Sequence, residues 1–361
     1  MTTTAVAAAS RFALHPKHLQ AATELGNQVK RVLVTGAGGF LGKALCRQLL
    51  QGGIQVVGLA RSDYPELVAM GVEMHRGDIA DPAAVARAMA GCELVFHVAS
   101  KAGVWGSLDS YRSANVDGAA AVLACAASHG VRALVYTSTP SVTFDGVDED
   151  GIDESAPYAR RFLNHYAATK AEAEAMLLAA SSPELPVTAL RPHLIWGPDD
   201  AHLVPRVLER GRTGKLKLVG AKDKLVDTIY VDNAAHGHVL AGLALLKDNS
   251  PCAGKAYFLS NGEPVTMAEM LNRILACANL PPVGKRVPAA VAYGVGALLE
   301  GLYGLLGKRE EPLMTRFVAK QLSCSHYFDI SAACRDLGYE AHISLDEGMA
   351  RLKASLKPLA G

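Results

Sequence analysis

The sequence predicts an α/β fold: a doubly wound parallel sheet of the Rossmann type with a smaller C-terminal lobe. Three observations predict it. Short β-branched runs alternate with helix-like stretches from Arg31 onward, the pattern of parallel strands joined by crossover helices. The run Val32-Leu33-Val34 is apolar at consecutive positions, so helices must cover both of its faces. The glycine-rich stretch Thr35-Gly36-Ala37-Gly38-Gly39-Phe40-Leu41-Gly42 follows that run at once and opens a helix.

In order, Arg31 to Thr35 reads as the first strand, Ile54 to Ala60 as the second, Val72 to Arg76 as the third and Leu94 to Val98 as the fourth. Ala133 to Thr137 reads as the fifth and Val187 to Leu190 as the sixth. Asp81-Pro82 starts a helix, with Asp as cap and Pro at the first helical position, and Gly91 ends it. After about residue 198 the rhythm loosens, with Pro205, Gly211, Gly214 and the basic run Lys215 to Lys224. Helices are expected at Asn233 to Leu246, Thr266 to Ala278 and Leu345 to Leu356, with a strand near Ala256 to Leu259. The expected organisation is therefore a poorly ordered extension with at most one short helix over 1–28, and a dinucleotide-binding domain with the catalytic residues over 29–198. A substrate lobe over 199–361 returns some elements to the core.

Residues 287–306 are apolar apart from Glu300 and approach the length of a bilayer span. Four glycines and Glu300 weaken a spanning helix, so a pair of buried helices or a lid over an apolar pocket is expected. Surface association with a membrane or a partner is the other reading.

Half of the 361 residues are hydrophobic and a fifth are charged, so a sizeable core is expected. Lys and Arg number 36 against 35 acids, a balance without the electrostatic footprint of a nucleic-acid binder; a small-molecule partner fits better. The seven cysteines form no Cys-x-x-Cys pair, which argues against a metal site or disulfide framework and for a reducing cytoplasm.

In the glycine loop, Gly36 allows the tight turn, Gly39 lets backbone amides approach a pyrophosphate, and Gly42 permits close packing of helix on sheet. Gly38, Phe40 and Leu41 complete the cradle at the positive helix terminus. The second strand ends Ala60-Arg61, where an NAD-preferring enzyme would place an acid; a guanidinium there pairs with a 2′-phosphate and favours NADP(H). Stacking on adenine or exposure to solvent is the alternative for Arg61. Asp78, before Ile79, offers a carboxylate to the adenine amino group, or else caps a turn.

Tyr166 and Lys170 lie four apart, one helical turn from each other. Adding hydride to a ketone generates an alkoxide, so a proton donor is needed. A phenol is too weak an acid for this until a nearby ammonium favours phenolate. Thr139 or Ser138, at the end of the fifth strand, offers a hydroxyl to orient the carbonyl oxygen.

These stretches, with His97-Val98-Ala99-Ser100-Lys101, Asn115-Val116-Asp117-Gly118, YTSTPSV from Tyr136, Arg191-Pro192, Trp196-Gly197-Pro198, Tyr230-Val231-Asp232-Asn233 and HYFDI from His326, resemble the extended short-chain dehydrogenases/reductases. The closest branch is that of the 3β-hydroxysteroid and sterol-4-carboxylate dehydrogenases, and coverage runs from about residue 30 to 355. The resemblance implies that the family's catalytic serine falls on Thr139 and that Ala99, Ile79 and Pro192 contact the cofactor. It gives Asn115 a bracing role, makes His97 a packed side chain under the cofactor, and puts Arg191-Pro192 in a turn beside the nicotinamide. It also suggests a homodimer.

GVWGSLDSY from Gly103 narrows the resemblance to reductases of branched β-keto acids in bacterial long-chain olefin biosynthesis. That implies NADPH-dependent reduction of a long-chain 2-alkyl-3-oxoalkanoic acid to the 3-hydroxy acid, with association to enzymes of the same pathway. Lys101 is the candidate cation for the substrate carboxylate, with a surface lysine as its plain alternative. A steroid or sterol dehydrogenase, a non-catalytic NADP-binding regulator and a nucleotide-sugar epimerase are the competing readings.

Overall fold

The computed structural model describes residues 13–308 and 310–356. Its centre is a seven-stranded sheet: β1 Arg31–Thr35, β2 Gln55–Ala60, β3 Glu73–Arg76, β4 Leu94–His97, β5 Ala133–Thr137, β6 Val187–Pro192 and β7 Ala256–Leu259. The spatial order is β7-β6-β5-β4-β1-β2-β3, and every neighbouring pair is parallel. Strand order reverses between β1 and β4, which opens a crevice at their carboxyl ends where ligands of such sheets collect. The fold is the doubly wound α/β sheet that the sequence predicts.

Val32, Leu33 and Val34 are fully buried, with Val32 and Val34 in one core and Leu33 in the other. Each such side chain contributes roughly 1.5–3 kcal/mol by leaving water, so β1 anchors both layers. The helix Phe40–Gln51 buries Leu41, Ala44, Leu45 and Leu49 on one face. At Pro82–Met89 the Asp81 side chain accepts from the Ala83 amide at 3.0 Å, as the Asp-Pro start requires.

Three expectations are corrected. Residues 16–28 are not a loose extension: helix Pro16–Gln28 buries Ala21, Ala22 and Leu25 and packs on Phe40–Gln51 and on Val231–Leu245. Residues 1–12 lie outside the described part. Arg191 and Pro192 form no turn; they end β6, held in register by Phe258 and Leu259 of β7. Residues 287–306 form no buried pair of helices, because Ala289–Leu305 is one continuous helix in which only Ala292 and Gly296 are buried. No described helix is long and apolar enough to cross a membrane.

A second sheet of four strands, in the order Val265–Thr266, Leu225–Val226, His326–Phe328 and Glu149–Ile152, stands beside the first. It joins residues on both sides of position 198.

Candidate active site

The glycine loop turns at Gly36, whose φ of +68° is the left-handed region that favours glycine. A Cβ there would lie 2.8 Å from the Ala99 backbone, and one at Gly42 would lie 2.2 Å from the Gly36 carbonyl oxygen. Neither position tolerates a side chain, so strand, loop and helix pack backbone on backbone. Gly39 is the N-cap of Phe40–Gln51 and supplies no side-chain cap, so the first amides of the helix are available to a phosphate. The cradle therefore fits a dinucleotide. Tyr64, which the sequence does not signal, lies against Gly38.

At the end of β2 the Arg61 side chain is exposed and has no ion-pair partner among the described residues. Register sets Ala60 opposite Arg76 on β3, and Arg76 Nε donates to the Arg61 carbonyl at 3.2 Å. The Arg76 guanidinium also pairs with Asp63 at 3.6 Å, so it braces the Arg61 backbone against this acid, a feature visible only once β2 and β3 are paired. Asp78 Oδ1 accepts from the Ala80 amide at 2.9 Å, the turn-capping role. Ile79 is buried against Gly118, and the Ala99 amide donates to Thr35 Oγ1 at 3.1 Å.

Helix His165–Ala179 carries the catalytic candidates. Asn164 caps it, accepting from the Ala167 amide at 2.8 Å. Tyr166 and Thr139 come together across the gap between this helix and the end of β5: burial pushes the Tyr166 phenol up, and its hydrogen bond with Thr139 pulls it down. Ser138 points elsewhere, its hydroxyl buried without a partner. The structure thus associates Thr139, not Ser138, with the tyrosine.

Lys170 is 2% exposed; its ammonium donates to the Thr137 carbonyl at 2.5 Å and sits 4.1 Å from the Tyr136 ring centroid. Burial lowers it to about 7, while the Glu174 carboxylate one turn along raises it. Glu174 itself is fully buried and grips Arg191: Nη2 lies at 2.5 Å and Nε at 3.1 Å, and Tyr158 donates to the same carboxylate at 2.9 Å. Glu174 is a site residue beyond those that the sequence motifs mark, and its four-residue step from Lys170 is the signal that points to it.

His97 Nδ1 bonds Thr35 Oγ1 at 2.8 Å, and burial lowers its ring to about 3, so it is a neutral packed side chain. Asn115 accepts from the Lys101 amide at 2.7 Å and donates to the Lys101 carbonyl and to Thr169, bracing the backbone after β4. Lys101 Nζ donates to Ser110 at 2.8 Å and lies 4.9 Å from the Tyr111 ring centroid, so it is tethered over the mouth of the crevice rather than loose on the surface. Pro192 is buried at the end of β6.

A glycine cradle, a hydroxyl-paired tyrosine and a buried lysine one turn on are the parts that a dehydrogenase site needs. The model of the 3-beta hydroxysteroid dehydrogenase/isomerase family matches residues 33–280. The chain belongs to that family. It is an oxidoreductase of the extended short-chain dehydrogenase/reductase type, and the family is NAD(P)-dependent. The 2-alkyl-3-oxoalkanoate reductase of Shewanella oneidensis is 62% identical over 353 residues, covering 96% of this chain and 91% of that protein. The protein of the same name from Stenotrophomonas maltophilia is 52% identical over 328 residues, covering 90% and 99%. Among solved structures, gox2253 is similar with a TM-score of 0.72 and 25% identity, covering 91% of this chain and all of that one.

Proposed function

We propose that this family member reduces a long-chain 2-alkyl-3-oxoalkanoic acid to the 2-alkyl-3-hydroxyalkanoic acid with NADPH. The observation that carries the substrate is 62% identity to a 2-alkyl-3-oxoalkanoate reductase along nearly the whole chain. For NADPH over NADH, the support is Arg61, exposed and without an ion-pair partner among the described residues at the end of β2, with no acid at Ala60. A homodimer and association with enzymes of the same pathway belong to the same proposal and follow from the resemblance, and a cytoplasmic location follows from the scattered cysteines.

Gly36, Gly38, Gly39 and Gly42 would hold the pyrophosphate of the dinucleotide, with Ala99 and Pro192 toward its nicotinamide end, and the bound cofactor would supply hydride. Everything else falls to the chain's own side chains. Thr139 fixes the carbonyl oxygen of the substrate, and Tyr166 delivers its phenolic proton to that oxygen as negative charge develops. The ammonium form of Lys170, which Glu174 favours against the burial that lowers it, favours the phenolate left behind. The ammonium of Lys101, which donates to Ser110 at 2.8 Å, is the proposed partner of the substrate carboxylate.

The second reading, a 3β-hydroxysteroid or sterol dehydrogenase, has in its favour only the breadth of the family. Parallel panels decide between them. NADP reduction with a synthetic 2-alkyl-3-hydroxy acid, giving ketone after the β-keto acid loses carbon dioxide, is the expected result. No turnover of that acid beside brisk turnover of a 3β-hydroxysteroid lacking a carboxylate would reject the proposal.

A further inference from the structure

Val291, Val295, Leu298, Leu302 and Leu305 fall on one face of helix Ala289–Leu305, and their exposures run from 44% at Val295 to 86% at Leu305. Leu306 and Leu313 extend the patch. Gly294, Gly301 and Gly304 open onto empty space around it, whereas Gly296 on the other face would set a Cβ 2.6 Å from the Thr315 backbone. The only acid of the helix, Glu300, is turned inward and accepts from the Arg316 amide at 2.7 Å and from its Nε at 2.6 Å. The outward face, about 25 Å long at helical rise, therefore carries no charge.

Cations stand at both of its ends, and at the second the exposed Glu310 and the Arg206-paired Glu311 follow. Strand Arg286–Val287 pairs with Leu218–Val219 and leads straight into the helix, exposing Lys217 and Lys285. Neither lysine has a carboxylate within ion-pair distance among the described residues. At the far end the exposed Lys308 lies 5.0 Å from the Tyr303 ring centroid, and Trp105 meets Tyr303 edge-on at 6.2 Å while donating from its indole to the Lys308 carbonyl. An apolar stripe with amphipathic aromatics and lysines at its rim is the composition of a helix that lies in a lipid interface.

We propose that this face docks on an anionic lipid surface, with the helix lying parallel to the membrane plane. The docking does not depend on the proposed substrate. A second copy is the weaker occupant: a two-fold pairing of antiparallel helices would set Lys308 of each copy against Lys285 of the other.

The test is sedimentation of the full chain with phosphatidylcholine vesicles, with and without phosphatidylglycerol. Binding to the anionic vesicles alone, reversed by salt, is expected. Lys285→Gln and Lys308→Gln should each weaken it about fivefold. Leu298→Glu with Leu305→Glu should abolish it while leaving thermal melting and the oxidation of NADPH by a short soluble β-keto substrate unchanged, since both side chains face solvent. Equal partition into both vesicle types, or none into either, overturns the proposal. So does a dimer of the parent chain in light scattering that Leu298→Glu turns into monomer.

Discussion

Replacing Glu174 by Gln removes one buried charge and keeps the shape. In the native arrangement the carboxylate is 0% exposed and the Arg191 side chain 5%, and the pair is joined by Nη2 at 2.5 Å, by two Nε contacts at 3.2 and 3.1 Å, and by Tyr158 at 2.9 Å. The amide still offers one oxygen, but the guanidinium then stays buried without its hydrogen-bonded counter-charge, with only the more distant Glu154 acting on it. Breaking a buried pair from one side costs about 3–5 kcal/mol, a large part of the roughly 5–15 kcal/mol that holds a domain folded. Urea unfolding at neutral pH should show that loss. The same change acts on catalysis, because Glu174 raises the Lys170 ammonium that burial has lowered to about 7. Without it, the lysine gives up its proton at lower pH, so the high-pH fall in reductive kcat should move toward acid. A Glu174→Gln variant within about 1 kcal/mol of the parent, with an unmoved pH limb, would refute both steps. Lost stability with an unmoved limb would refute the link to Lys170.

Tyr166→Phe should lower kcat at least about a hundredfold with NADPH binding intact, as titrated by protein fluorescence, and Thr139→Ala should cost less. A larger loss in Ser138→Ala than in Thr139→Ala would move the hydroxyl's role one residue. Arg61→Ala should weaken NADPH by about one to two orders of magnitude and NADH little, since only the former carries a phosphate for the guanidinium; calorimetry with both cofactors measures this. His18 and His236 stack at 4.3 Å, and burial lowers them from 6.5 to about 2 and about 3. The folded state therefore binds fewer protons than the unfolded chain below about pH 6.5. Stability is complete above that value and falls as the pH drops, by about 1.4 kcal/mol per pH unit for each histidine. His18→Leu should flatten the acid limb of a urea-midpoint profile by one such slope; an unchanged limb would place the two rings in solvent.

Periodic patterns and short spacings were legible without a structure. Consecutive apolar residues at Val32 to Val34 required a sheet covered on both faces. The glycines from Gly36 to Gly42 required close backbone contact, and the four-residue step from Tyr166 to Lys170 required one helix face. These are local properties: strand alternation, helical repeat and the missing Cβ act over a few residues, so the sequence carries them directly. Contacts between distant segments were not legible in the same way. Arg76 comes beside Arg61 only because β2 and β3 pair in one register. Helix Pro16–Gln28 looked dispensable until its Ala22 and Leu25 found the core beside Val231–Leu245. Arg191 left its expected turn because β7, arriving from residue 256, extends β6 to Pro192. For Ala289–Leu305, composition measured how apolar the segment is, but burial depends on what packs over it, and helix Arg316–Gln321 covers one face. Local sequence thus determined the sheet, the cofactor loop and the catalytic pair. Long-range packing decided which hydroxyl meets Tyr166, which carboxylate grips Arg191, and which apolar face is left open to solvent.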